Sequence, residues 1–131
     1  MTSTVHWINV DCADPYLMAS FWAAVTGLRQ DPDDEPGADE CALFSGAGIL
    51  EGGMLFQRVP AEKIGERRAG RRFHLDLIPT DRTRDEEVER LKGLGATDYE
   101  DHRKPDGTGW VTLADPEGNL FCVERSAAER A

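Results

Sequence analysis

The chain has 131 residues, 40% of them hydrophobic, with three Trp and five Phe; this supplies one domain with a core and excludes global disorder. A formal charge of -10 argues against a nucleic-acid partner or an anionic membrane, because phosphate-rich surfaces select a basic face. There is no basic-then-apolar leader or long apolar run, and Cys12, Cys41 and Cys122 are too few and scattered for a disulfide framework or a metal knuckle, so a cytoplasmic protein is expected.

The first strand is expected over Val5–Asp11, with Ile8 and Val10 on one face and Trp7, Asn9 and Asp11 on the other. Asp14-Pro15 then opens a helix, because Asp accepts from orphan amides and Pro suits the first helical position. Leu17, Phe21, Ala24 and Leu28 form its stripe, widened by Met18, Trp22 and Val25, and Gly27 ends it. Asp31 to Glu40 holds six acids and two prolines and reads as a solvated loop. Two short strands follow, near Cys41–Ser45 and Leu50–Val59, with Gly46, Gly48, Gly52 and Gly53 marking a turn and a bulge. Arg58 to Arg72 carries six basic residues and reads as a solvated connector; a basic lid that attracts an anionic ligand is the alternative.

The second half begins with the alternating run Phe73-His74-Leu75-Asp76-Leu77-Ile78. Asp81 is the expected cap of a helix with Asp85, Glu86 and Glu87 in its first turns, Arg90 and Lys92 in its last, an apolar stripe of Val88, Leu91 and Leu94, and Gly95 at its end. Strands are expected at Thr97–Asp101, Trp110–Ala114 and Leu120–Glu124, the last two joined by Asp115-Pro116-Glu117-Gly118, which fits a type I turn.

The two halves repeat. Sixty-seven residues separate Trp7 from His74, Asp14 from Asp81 and Phe21 from Val88. The expectation is an α+β fold of two βαβββ modules, about 5–59 and 72–125 within one domain of residues 1–131, forming a curved mixed sheet with outer helices. Alternation places Trp7, Asn9, Leu55, Gln57, His74, Asp76, Cys122 and Glu124 on one face of the strands. Ile8, Val10, Met54, Phe56, Phe73, Leu75, Leu77, Phe121 and Val123 take the other, wholly apolar face, under the helices.

Three segments carry a family likeness: Asp14-Pro15 with Phe21-Trp22 and Gly27-Leu28; Phe73 to Leu77 with Asp81, Leu91, Gly95 and Ala96; and Asp115-Pro116-Glu117-Gly118-Asn119-Leu120-Phe121-Cys122. In these the chain resembles the vicinal-oxygen-chelate superfamily, the fold of glyoxalase I, bleomycin-resistance proteins and extradiol dioxygenases, and within it the small actinobacterial glyoxalase-like domain proteins. The resemblance implies a metal held by four strand residues, two per module. Those positions fall here on Trp7, Leu55, His74 and Cys122. An indole offers only an N–H donor and Leu offers nothing, so two ligands remain where catalytic zinc has three. The expectation is therefore a degraded site with no metal and no cofactor; a divalent metal reached through a shifted register, using Gln57 or Glu124, is the weaker alternative.

The ligand-binding residues expected are Trp7, Asn9, Gln57, His74, Asp76, Trp110, Cys122 and Glu124, with His74 the catalytic candidate. Cys122 reads as a small buried hydrophobe, since no basic neighbour is evident to activate it, and His102 as a solvated loop residue. His6 should point away from Trp7. Two functions fit: a protein that binds or sequesters a small planar organic molecule, or a lyase or isomerase that uses His74 with Asp76 or Glu124 for proton transfer. The resemblance also implies a homodimer, isologous as most two-subunit assemblies are.

Overall fold

The structure, a computed structural model, describes residues 2–3, 5–45, 50–64 and 73–131. It divides into two compact units, residues 1–67 and 68–131. The first holds β1 (Val5–Cys12), α1 (Pro15–Thr26), β2 (Arg29–Gln30), β3 (Glu40–Phe44), β4 (Leu50–Arg58) and the short α2 (Ala61–Ile64). The second holds β5 (Leu75–Leu77), α3 (Arg84–Gly93), β6 (Thr97–Asp101), β7 (Val111–Ala114), β8 (Leu120–Val123) and α4 (Ala127–Arg130). Each unit builds a four-stranded mixed sheet, in the orders β1-β4-β3-β2 and β5-β8-β7-β6. This is the βαβββ plan, once per unit.

The repeat holds at the level of single ladder pairs. In the parallel pair β1·β4, Ile8, Asn9 and Val10 face Met54, Leu55 and Phe56; in β5·β8, Leu75, Asp76 and Leu77 face Phe121, Cys122 and Val123. Adding 67 to each number of the first set gives the second. A one-residue slip would turn a whole apolar set to the other face, so alternation pins this register. In β4 the partners of Val5 and Trp7 are Leu50 and Gly53, so one extra residue bulges the strand where Gly52 and Gly53 led us to expect it. Gly53 has φ +136°, and a Cβ there would meet the Leu43 carbonyl oxygen at 2.0 Å. Gly46 and Gly48 lie outside the described residues.

Helix α1 packs on β3 and β4, and α3 on β8. Leu43, Met54 and Phe56 are buried in the first unit, and Val88, Leu91, Val111, Leu113, Phe121 and Val123 in the second. All three cysteines are buried, and none forms a disulfide. No helix among the described residues is long and apolar enough to cross a membrane.

Several expectations need correction. The buried face of α1 is Pro15, Met18, Ala19, Phe21 and Trp22, whereas Leu17 is exposed, so the stripe is rotated by about one position. Thr83, not Asp81, caps α3: its hydroxyl accepts from the Glu86 amide while the Glu86 carboxylate accepts from the Thr83 amide. Phe73 is fully exposed rather than under a helix, because it lies two residues before β5 and strand alternation does not govern it. Leu94, expected in the α3 stripe, is exposed at the helix end. The acidic loop is tied down as well as solvated, since the Asp34 carboxylate accepts from the Ala42 amide and Asp39 pairs with Arg58. Arg58 itself ends β4 and donates to the Ala13 and Ala38 carbonyls. Arg67, Arg68, Arg71 and Arg72, on which the basic lid rests, lie outside the described residues.

Candidate functional site

The second unit gathers five of the eight expected ligand-binding residues around one pocket of about 230 Å³: His74, Asp76, Trp110, Cys122 and Glu124. Asp76 and Cys122 face each other as a parallel ladder pair, and Thr112 faces Cys122 from the other side in β7. The chemistry of β5, β7 and β8 is thus set side by side by backbone pairing, before any loop contributes.

His74 stands one residue before β5, and its Nε2 lies 3.2 Å from the Asp76 Oδ1. Alternation places residues two apart on the same face at about 7 Å along a strand, too far for this to follow from sequence. His74 lies outside the regular ladder, which lets its ring lean back onto the carboxylate. A carboxylate against one ring nitrogen fixes the imidazole's orientation and leaves the other nitrogen for a ligand. Cys122 is buried, and its sulfur lies 3.4 Å from the Thr112 hydroxyl. Glu124 continues past β8, donating its amide to the Leu77 carbonyl at 2.9 Å, while its carboxylate lies 3.5 Å from Arg130.

Trp110 forms a wall of the pocket and is braced by a second ring. The His102 ring stacks on it at 4.6 Å between centroids and 23° between planes, and His102 Nε2 meets the Glu100 carboxylate at 2.8 Å. His102, expected as a solvated loop residue, is therefore a buttress of the indole. Its backbone crosses so close to Gly109 that a Cβ there would meet the His102 carbonyl oxygen at 2.0 Å. Arg84, buried at the start of α3, donates from Nη1 to the carbonyls of Gly107, Thr108 and Gly109 at 3.0–3.1 Å, clamping the segment that enters Trp110. Arg103 grips Asp101 with two nitrogens and Asp85 with a third contact, and these bonds hold the Asp101 carboxyl well below the usual carboxylate range. The signal for this loop was Lys104-Pro105-Asp106-Gly107, which closes as a turn with the Gly107 amide on the Lys104 carbonyl. The turn that carries Asp115 was legible and is built as expected: the buried Asp115 carboxylate accepts from the amides of Glu117 and Asn119.

The other three expected ligand-binding residues sit in the first unit. Asn9 Nδ2 donates to Gln57 Oε1 at 2.8 Å, so one hydrogen bond joins these two amides. The Trp7 indole lies 6.0 Å from the Phe44 ring and 5.0 Å from His6. His6 thus leans toward Trp7 rather than away from it; β1 stands at one end of its sheet, where neighbouring side chains can curl around the edge.

For a metal, the described residues offer one cluster, His74, Asp76 and Cys122, whose donor atoms lie within 4.8 Å of one another. The contact with Asp76 raises the donor count from the expected two to three, the number a catalytic zinc takes from protein. Zinc bonds of about 2.0–2.3 Å place tetrahedral donors about 3.3–3.7 Å apart. The 3.2 Å between His74 and Asp76 is close to that spacing, while the three donors together span up to 4.8 Å. The residues fit the ion in number and type, all from one module.

Comparison with known proteins agrees with this architecture. A crystal structure of a glyoxalase/bleomycin resistance protein/dioxygenase family enzyme from Burkholderia phytofirmans superimposes with a TM-score of 0.65 at 19% identity, covering 92% of this chain and 97% of that one. A mutant of the fosfomycin resistance protein FosX from Listeria monocytogenes, solved with Mn(II) and 1S,2S-dihydroxypropylphosphonic acid, gives 0.65 at 17% identity over 99% and 94%. A lactoylglutathione lyase from Agrobacterium tumefaciens gives 0.57 at 20% identity over 98% and 96%. No curated protein matches the sequence. The family model of the glyoxalase-like domain matches residues 7–124, from Trp7 on β1 to Glu124 just past β8, and the chain belongs to that family.

Proposed function

We propose that the protein binds and sequesters a small planar organic molecule in the pocket of its second module, with His74 as the polar centre and Trp110 as the stacking wall. The observation that carries this is the 3.2 Å contact between His74 and Asp76 at the edge of a pocket walled by Trp110. An oriented imidazole fixes one polar atom of a ligand, and an indole braced by a stacked ring supplies area at little entropic cost. The binding reading needs no metal. A thermal-shift screen of metabolites, followed by titration of the hits into wild type and His74→Ala, tests it. Loss of one well-placed polar contact costs about 1–3 kcal/mol, so the variant should bind roughly five- to hundredfold more weakly. The His74 side chain is 30% exposed, so folding should be little affected. A ligand whose affinity ignores His74→Ala would overturn the reading.

A second reading, a lyase or isomerase, is favoured by the three donors within 4.8 Å. Without metal, His74 oriented by Asp76 would move the proton. With a divalent ion held by His74, Asp76 and Cys122, the ion would polarise a substrate oxygen and Glu124 would be the group left for proton transfer. FosX, which shares the fold, was solved with Mn(II). Stoichiometric zinc, nickel or iron in freshly purified protein, lost on His74→Ala, would decide for the metal-bound enzyme.

A further inference from the structure

A second pocket, of about 250 Å³, shares Trp110 and Glu124 with the first; Lys104, Thr108, Gly109, Arg125 and Arg130 complete its walls. Three cations around one carboxylate are unusual in a chain with 25 acidic and 15 basic residues. Among the described residues Arg58, Arg82, Arg84, Arg90 and Arg103 each lie within 4 Å of a carboxylate, while Arg29 lies over the Phe44 ring. Arg130 reaches Glu124 at 3.5 Å, but among the described residues neither Lys104 nor Arg125 lies within 4.0 Å of an acid. The Asp106 carboxyl is held below its ordinary value first by its hydrogen bonds from the Thr108 hydroxyl at 2.6 Å and amide at 2.9 Å, and then by the charges of Lys104 and Arg125. Like charges around one pocket repel, and an anion between them would relieve that cost.

We propose that this second pocket takes the oxyanion of the ligand, a carboxylate or phosphate on a planar organic molecule whose ring lies along Trp110 and whose far end meets His74. This rests on reading the His74 pocket as a small-molecule site, and it adds the ligand's chemical class. Size supports a spanning ligand. Ligand pockets typically enclose about 300–1,000 Å³, and each of the two alone falls short. The Arg84 clamp on residues 107–109 holds Thr108 and Gly109, so this part of the wall is formed before a ligand arrives.

Calorimetric titration of the full chain with 1-naphthoate, 1-naphthyl phosphate and the neutral 1-naphthamide tests this. At least one acid should bind about tenfold or more tightly than the amide at low salt, with the gap narrowing as salt is raised. The ratio of the two acids distinguishes a carboxylate site from a phosphate site. The double variant Lys104→Gln/Arg125→Gln should abolish the preference for the acid, while His74→Ala should weaken acid and amide alike. An amide that binds as tightly as both acids, or a preference that survives the double variant, overturns the anionic pocket and leaves the small-molecule reading standing. If none of the three probes binds, the planar-ligand reading fails and this inference with it.

Discussion

Replacing Arg84 should show that the Trp110 wall is held by one buried guanidinium. Arg84 is 5% exposed, with Nη1 3.0–3.1 Å from three successive carbonyls and Nε 3.0 Å from Asp85. Nη1 carries two hydrogens, so at most two of the three carbonyls are well bonded at once. Hydrogen bonds from a charged group contribute about 1.5–3 kcal/mol each. Gly107 is exposed and Thr108 and Gly109 are half-buried, so water would replace part of what is lost, and the lower half of the range applies. Arg84→Met keeps the aliphatic stem and removes the donors; with two such bonds it should cost about 3–4.5 kcal/mol. Arg84→Lys keeps a point charge but loses the fork, and should cost about half as much. Urea denaturation gives the stability change, and amide hydrogen exchange over residues 107–110 gives the local one. Faster exchange there, before global unfolding, is the expected signature. A change below about 0.5 kcal/mol in Arg84→Met, with exchange at 107–110 unaltered, would refute the clamp.

Two further outcomes can be measured directly. Burial, aided by Asp34, Asp14 and Asp31, pushes the Cys41 thiol up from 9.0 to about 11, so the folded chain keeps a proton that the unfolded chain gives up. The stabilisation is whole below about pH 9 and is lost as pH rises toward 11, by about 2–3 kcal/mol in total, and Cys41→Ala should flatten the wild-type decline in denaturation midpoints over that window. The homodimer expected from the family resemblance predicts twice the chain mass by light scattering at micromolar concentration, and a monomeric mass would remove it.

What was legible in the sequence was whatever obeys a period. The 67-residue offset and the alternation of Ile8, Val10, Leu75 and Leu77 specify the parallel register, because a slip would expose an apolar set. β2 has two residues, too few to alternate, and α4 has four, so neither produced a periodic signal. The true cap of α3 was there to be read, since Thr83 with Glu86 three residues later is a capping-box pattern, but Asp81 matched the repeat and was preferred. In the site, strand alternation placed Asp76, Cys122 and Glu124 on one face. It could not show His74 leaning onto Asp76, His102 bracing Trp110 or Arg84 clamping the loop, because these contacts depend on backbone outside regular strands.

The two modules differ most in chemistry where they correspond most closely in register. Subtracting 67 from His74, Asp76, Cys122 and Glu124 gives Trp7, Asn9, Leu55 and Gln57. In the first module Asn9 donates to Gln57, one hydrogen bond linking two amides on neighbouring strands. In the second module both equivalents are acids. Two ionised carboxylates have no proton to share and repel each other, so each must find its own partner. Asp76 meets His74 at 3.2 Å, and Glu124 meets Arg130 at 3.5 Å. A pair that closes on itself in one module thus opens in the other toward an imidazole on one side and a cationic pocket on the other. That divergence is the physical reason the proposed site falls in the second module, although both share one backbone plan.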